Sequence, residues 1–272
     1  MFDQVVVGIS FEAHWSGMDE LAAALARGLG VDVTLVHVGP DRGELLALGW
    51  DALVRRPLED AGVRASFTWR DGDVVDALLQ VCGGFQEPLL LVGASTVHDP
   101  RRGFLGGTTL KLLMDGRVSV VTIPTALTWT APDRPLRVVY ASDLTDISTG
   151  WMTRAGQLAD ALDAELHLTH VVPIPRKAFL HPSDRHPIWD EQLEIERSLK
   201  WLAAHELSGR SPHKVHAIAH RSVPHGILDE VEALEADLIV LGTRRGRYDN
   251  RIGSVAQALL RLSPVPVLVL GD

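Results

Sequence analysis

The stretch that decides the fold is VVYASDLTDISTGWMTRAGQLADALDAELHLTHVVP, residues 138–173, because the chain contains a second copy of it. Residues 5–40, VVVGISFEAHWSGMDELAAALARGLGVDVTLVHVGP, align with it without a gap at an offset of 133. Eleven of the 36 aligned pairs are identical, including His37 with His170. Self-similarity of this extent indicates an internal duplication.

Each copy has the pattern of a strand, a helix and a second strand. An apolar run is followed by a polar turn, then by apolar residues three and four apart, then by another apolar run. Such alternation favours an α/β fold with a mainly parallel sheet and helices on both faces. The copies also match at their far ends, where 87–95 corresponds to 236–244 and 118–124 to 265–272.

We therefore predict two domains, residues 1–128 and residues 134–272. Residues 125–135, TALTWTAPDRP, have the proline and polar content of a linker, and we place the boundary near residue 132. A chain of 272 residues is long enough for two such domains, each with its own core.

The amino-acid composition limits the classes of partner that the protein is expected to bind. The net charge of −9 argues against nucleic acid, because phosphate binding needs a basic surface. No apolar run approaches the ~20 residues of a membrane-spanning helix, and the N-terminus lacks the pattern of a signal peptide. We expect no membrane partner and a cytoplasmic protein. Cys82, the single cysteine, is expected to be a buried structural thiol.

With these motifs in place, the chain resembles a tandem universal stress protein over nearly its whole length. The segments that carry the resemblance are SDLTDIS (142–148), LHLTHVV (166–172), EADLIVLGTRRG (235–246), GSVAQALL (253–260) and SPVPVLVL (263–270). The resemblance implies a Rossmann-like, five-stranded sheet in each domain and no established reaction. It also implies dimers formed through the last strand, a pairing that a tandem chain can make internally as a pseudo-twofold pair.

The resemblance further implies a nucleotide site, since many members of this family bind ATP. Their loop runs Gly, two residues, Gly, nine residues, Gly, then Ser or Thr, and an Asp ends the first strand. Glycines let backbone N–H groups approach phosphate, and the last pair places the anion at a helix N-terminus. On this basis the candidate nucleotide-binding residues of the C-terminal half are Asp143, Gly242, Thr243, Arg244, Arg245, Gly246, Gly253 and Ser254.

Neither half matches the pattern fully. Gly242 and Gly253 are eleven residues apart instead of thirteen, a deficit of at most ~7 Å of extended chain, and Gly246 is displaced by one position. The arginines could compensate by binding phosphate directly, or they could form a solvated rim. The N-terminal half keeps the spacing. It lacks the chemistry, however, because Ser10 replaces the Asp, Thr96 the middle glycine and Gly107 the hydroxyl residue, with Thr108 one place late.

The histidines and tryptophans give weaker signals. His216 and His220 share a strand face but are ~13 Å apart, too far to share a metal ion, and we expect isolated side chains. His181, Asp184 and His186 lack a fourth ligand, so no metal is predicted. His37 and His170 recur at equivalent positions, which favours a shared structural role. The tryptophans are expected to pack at scattered sites.

Three functions follow from these observations. The leading hypothesis is a stress-response binding or regulatory protein that takes ATP or a related adenine nucleotide in its C-terminal half. The second is a scaffold without nucleotide, in which the doubled fold serves dimerisation or partner docking, with further homo-oligomers possible. The third is a slow ATPase or nucleotidyl transferase, which lacks a visible general base or metal carboxylate pair. We therefore expect no enzymatic activity.

Overall fold

The fold is described from a computed structural model. It covers residues 1–10, 17–40, 43, 47–94, 106–124, 129–144, 146–174, 187–207, 213–242 and 252–271. The strands of these ranges are β1 (Gln4–Ile9), β2 (Val33–Val38), β3 (Ala65–Arg70), β4 (Pro88–Gly93), β5 (Ser119–Ile123), β6 (Arg137–Ala141), β7 (Glu165–Pro173), β8 (His213–His220), β9 (Leu238–Gly242) and β10 (Val267–Leu270). The helices are α1 (Met18–Leu29), α2 (Trp50–Asp60), α3 (Val74–Cys82), α4 (Gly107–Asp115), α5 (Asp146–Ala161), α6 (Pro187–Glu206), α7 (Val223–Ala233) and α8 (Ser254–Leu262).

The strands form one ten-stranded sheet in the order β3-β2-β1-β4-β5-β10-β9-β6-β7-β8. Pairing is parallel within each half, and the halves meet where β10 pairs antiparallel with β5. Each half therefore contributes five parallel strands in the same relative order, with the last strands joined about a pseudo-twofold axis. This confirms the predicted α/β fold class and the pairing through the last strand.

Helix α1 shows why the repeated segment folds as it does. Its apolar residues Leu21 and Leu25 are four apart and both are buried against the sheet. The helix ends at Gly30, whose φ of 70° is the left-handed conformation that closes many helices. The following strand, β2, is buried almost throughout, as expected for a strand with helices on both faces.

The helices form a layer on each side of the sheet. One apolar core holds side chains of α1, α2, α5 and α6 together with one face of the strands. The other holds side chains of α3, α4, α7 and α8 with the opposite face. Both cores contain residues from the two halves, so burial of apolar surface stabilises the pair as well as each half.

Contacts between α1 and α5 and around Arg154 also tie the halves together beyond the central strands. At Gly28 of α1 a side chain would meet Leu162 Cδ2 at 2.6 Å, so glycine lets α1 and the end of α5 approach closely. The Arg154 guanidinium donates to the Gly271 carbonyl at 2.5 Å and to Glu87 Oε2 at 3.0 Å. Glu87 lies in the N-terminal half, so this arginine bridges the two.

The described part of the predicted linker packs on both halves. Trp129 is buried, and its backbone lies where a side chain on Gly17 would be. Arg134 donates to Asp237 Oδ2 at 2.6 Å. None of the helices in the described part of the chain is both long and apolar enough to cross a lipid bilayer.

Candidate functional site

The four predicted site residues that the structure describes lie at one edge of the sheet, where the parallel strands of the C-terminal half end. Asp143 follows β6, and Gly242 ends the neighbouring β9. Gly253 and Ser254 begin α8, which returns from that edge to start β10. Thr243, Arg244, Arg245 and Gly246 lie outside the described residues.

The segment after β6 is held by hydrogen bonds on two sides. Ser142 is buried; its N–H donates to the Thr169 carbonyl at 2.9 Å, and its hydroxyl accepts from Leu144 N–H at 3.1 Å. Leu144 has a φ of 57°, a left-handed conformation that costs a non-glycine residue roughly 1–2 kcal/mol. The strained bend directly follows Asp143, whose side chain is exposed. Strain of this kind often marks a functional position.

The recurring histidines hold the first strand of each half. His170 Nδ1 donates to the Ser142 carbonyl at 2.8 Å, and His37 Nδ1 donates to the Ile9 carbonyl at 3.2 Å. Ile9 and Ser142 occupy equivalent positions in the two copies. The predicted structural role of the two histidines is therefore confirmed, and the role is to fix the strand end beside the site.

The packing of a neighbouring side chain explains why residue 242 is a glycine. A Cβ at this position would lie 2.3 Å from Cδ1 and 2.9 Å from Nε1 of the Trp151 indole. Trp151, on α5, is itself buried, and no atom of the described residues accepts a hydrogen bond from its Nε1. The absence of a side chain at Gly242 thus makes room for the indole, whatever its backbone contributes to a ligand.

Gly253 is different because the protein itself does not require a glycine there. Its φ of −57° suits any residue, and a Cβ would meet nothing within 4 Å. As the N-cap of α8 it offers no side chain to the first turn, whose N–H groups have no partners within the helix. Ser254, the first helical residue, is exposed. Together they present the positive end of a helix, without a capping side chain from the residues that the structure describes, and a hydroxyl at the surface.

The equivalent loop ends of the N-terminal half are tied to each other. The Thr109 hydroxyl donates to the Gly93 carbonyl at 2.8 Å, and Gly106 N–H donates to the Ala94 carbonyl at 3.1 Å. In the C-terminal half Ala256 occupies the position of Thr109 and has no hydroxyl. The hydroxyl that makes this contact belongs to Thr109, the neighbour of Thr108.

An aromatic cluster fills the carboxyl end of β2 and β3 in the N-terminal half. The His37 ring lies 4.9 Å from the Trp50 ring and 4.7 Å from the Trp69 ring. Phe67 adds edge contacts to both tryptophans. The expectation that the tryptophans pack at scattered sites is wrong for this pair, because helix α2 brings Trp50 over the strand that carries Trp69.

The expectation that His216 and His220 are isolated is also wrong. His216 Nε2 is 3.1 Å from His167 Nδ1, and His216 Nδ1 is 2.8 Å from Glu230 Oε1. His220 bonds to the Ser222 backbone. The partners come from the adjacent strand β7, from the turn after β8 and from α7, and spacing along β8 alone does not reveal them.

The part of the chain that the structure describes contains neither a cluster of metal ligands nor a reactive thiol. Within those ranges no three His, Cys, Asp or Glu side chains are placed to share a metal ion. His181, Asp184 and His186 lie outside them. Burial raises the pKa of the Cys82 thiol to about 12, so the thiolate that would act as nucleophile or ligand is absent at neutral pH.

Comparison with known proteins agrees with this architecture. The model of the universal stress protein family matches residues 136–271. The chain belongs to the universal stress protein family. A universal stress protein of Mycobacterium tuberculosis is 40% identical over an alignment that covers 39% of this chain and 40% of that protein. The chain thus spans about two fifths of the length of the curated relatives it matches.

Solved structures show the same fold over the full chain. A protein of unknown function from Pseudomonas aeruginosa superposes with a TM-score of 0.69 at 20% identity, covering 99% of this chain and 92% of that one. A universal stress protein from Archaeoglobus fulgidus gives a TM-score of 0.64 at 19% identity, with 98% of both chains covered. The shared fold supports two universal-stress-type repeats in one chain.

Proposed function

We propose that this universal stress protein is a cytoplasmic binding or regulatory protein that takes an adenine nucleotide in its C-terminal half and catalyses no reaction. The observation that carries the proposal is the pairing of a helix N-terminus at Gly253 and Ser254, which no side chain of the described residues caps, with an exposed carboxylate at Asp143. Both lie at the carboxyl edge of the sheet, where open α/β folds take ligands. In our proposal the two domains, residues 1–128 and 134–272, differ in this capacity.

The phosphate end would lie at α8. Backbone N–H groups and the helix dipole favour an anion there, and the open space at Gly253 allows an oxygen to approach the backbone. Arg244 and Arg245, with Thr243 and Gly246, are the proposed contacts from the intervening loop, where guanidinium groups would bind phosphate oxygens in pairs. The two-residue deficit favours a ligand with one or two phosphates over a triphosphate.

The nucleoside end would lie at Asp143. Its carboxylate accepts hydrogen bonds only, which suits a ribose hydroxyl or an adenine amino group. The bend at Leu144 and the anchor from His170 to the Ser142 carbonyl fix the backbone on either side. A rigid backbone lowers the entropy cost of holding a ligand.

Isothermal titration with AMP, ADP and ATP tests the proposal, with Asp143→Ala as the diagnostic variant. Loss of a charged hydrogen-bond acceptor should weaken affinity roughly tenfold or more, equivalent to ~1.5–3 kcal/mol. The matched control is Ser10→Ala, because Ser10 is the equivalent residue of the N-terminal half and is also exposed. Binding equal in all three proteins would place the nucleotide elsewhere, and no heat with any nucleotide would remove the claim.

The alternative is a scaffold without nucleotide, and one observation favours it for the N-terminal half. There the loop ends bond to each other through Thr109 and Gly106, which leaves fewer backbone groups for a ligand. If both halves are scaffolds, thermal melting will be the same with and without nucleotide in the parent protein and in Asp143→Ala. Further homo-oligomers would have to use surfaces other than β5 and β10, since these strands already pair with each other.

A further inference from the structure

A histidine pair, of which one ring is buried and the other partly exposed, lies between the sheet and α7, away from the candidate nucleotide site. His167 on β7 has a side chain that is 1% exposed, and His216 on β8 faces the same side of the sheet. His167 Nδ1 and His216 Nε2 are 3.1 Å apart, a hydrogen-bond distance that requires one proton between them. The N-terminal half has Thr34 at the position of His167, so the pair belongs to one half only.

Each outward nitrogen of the pair lies near a carboxylate, although His167 Nε2 makes no hydrogen bond within the described residues. His216 Nδ1 is 2.8 Å from Glu230 Oε1 on α7, and His167 Nε2 is 3.4 Å from Glu165 Oε2. Glu165 is also in contact with Lys214 Nζ and lies 3.8 Å from Arg137 Nε. The hydrogen bond from Lys214 is the main reason that the pKa of Glu165 is lowered. Glu165 is therefore ionised and can only accept hydrogen bonds.

The contacts of the pair determine how many N–H protons the two rings must carry. Two neutral imidazoles carry one N–H each, and one of these must lie between the rings. Whichever ring donates it, that ring turns a lone pair towards a carboxylate, His167 towards Glu165 or His216 towards Glu230. Lone pair and carboxylate repel, because neither has a proton to donate. A third proton removes the conflict in either arrangement.

We propose that the His167–His216 pair is a proton-binding site: it takes up one proton, carried by His216 as an imidazolium between Glu230 and His167, and so links α7 to β7 and β8. His216 would then donate through both nitrogens, and neutral His167 would carry its own N–H on Nε2, 3.4 Å from Glu165 Oε2. The charges of Glu165, Glu230, Lys214 and the imidazolium sum to zero, with Arg137 at the margin of the group.

Burial supports the assignment of the charge to His216. Desolvation, followed by the neighbouring His216, lowers the pKa of His167, which keeps that ring neutral. The side chain of His216 is 24% exposed and that of Glu230 is 18% exposed, so the charged pair keeps some contact with water. An imidazolium with a carboxylate partner is tolerated there at lower cost than in the fully buried position.

Proton binding by the folded protein determines the direction in which its stability changes with pH. In the proposed arrangement the flanking carboxylates keep the proton on the native pair at a pH at which the histidines of the unfolded chain have lost theirs. The native state then binds more protons than the unfolded state, so stability falls as the pH rises through the titration of the native pair. Over that interval the unfolding equilibrium constant should rise by up to about tenfold per pH unit.

The experiment combines side-chain nitrogen NMR of histidine-labelled protein with urea unfolding. At pH 7 the spectrum should contain one imidazolium that disappears in His216→Gln. The pH dependence of unfolding above pH 7 should flatten in His216→Gln and in Glu230→Gln. The control is His205→Gln, since His205 is an exposed histidine on α6, and this variant should keep the parent slope.

Two results would overturn the proposal. One is a pair in which both rings are neutral at pH 7, which the spectrum of the unsubstituted protein reports directly, even if a variant fails to fold. The other is a pH response that vanishes after EDTA treatment, which would show that a metal ion holds the two rings.

Discussion

Replacing Gly242 by alanine tests the contact between Trp151 and the start of the candidate loop. The new Cβ would lie 2.3 Å from Cδ1 and 2.6 Å from Cγ of the indole, well inside van der Waals contact. Trp151 is 9% exposed and Gly242 belongs to a central strand, so neither group can move freely. Overpacking a well-filled core in this way costs typically 1–3 kcal/mol, and we expect Gly242→Ala to lower the free energy of unfolding by that amount.

Urea unfolding of a double-mutant cycle separates the indole contact from other causes. In a Trp151→Leu background the smaller side chain leaves room for the methyl group, so the cost of Gly242→Ala should fall below about 0.5 kcal/mol. Gly253→Ala is the control, because its Cβ meets nothing. Replacing this glycine lowers the conformational entropy of the unfolded chain, which stabilises the protein, whereas alanine is a poorer N-cap residue than glycine. Because the two effects oppose each other, the net change should stay within about 1 kcal/mol. An equal cost of Gly242→Ala in both backgrounds would refute the indole explanation.

Three further predictions concern other contacts. Thr109→Val keeps the shape but removes the bond to the Gly93 carbonyl, and should cost about 1 kcal/mol in urea unfolding; no change would mean the loop ends are held otherwise. Because contact with Lys214 lowers the pKa of Glu165, its stabilisation is present above the unfolded value of about 4.3 and is lost on acidification; Glu165→Gln should therefore show a shallower loss of stability between pH 5 and 3, measured by urea titration. Cys82, with its buried thiol and pKa of about 12, should not react with a disulfide reagent at pH 8 until the protein is unfolded, and rapid native labelling would contradict this.

The duplication made the fold predictable from the sequence. Two copies with matching apolar periods, read with the family resemblance, indicate five parallel strands per half, and β10 pairs with β5 as expected. The helical periodicity of the sequence predicts α1 correctly because Leu21 and Leu25 face one core. Such local patterns are sufficient here because they reflect which side of each element is covered.

Contacts across elements could not be predicted in the same way. The distance between His216 and His220 along β8 followed from strand geometry, but their partners did not. His167 lies on the next strand and Glu230 on a helix, and neither position stands out in the sequence. The cluster around Trp50 was missed for the same reason, since its members come from β2, β3 and α2.

The two loop glycines show what a sequence motif leaves open. The pattern treats Gly242 and Gly253 alike, as places where backbone approaches phosphate. In the structure Gly242 makes room for Trp151, whereas Gly253 has open space at its Cβ position and no conformational need to be glycine. A loss of ligand binding in a Gly242 variant could therefore follow from a displaced indole alone. Substitutions at Gly253 and Ser254 are the ones that examine the proposed phosphate contact directly.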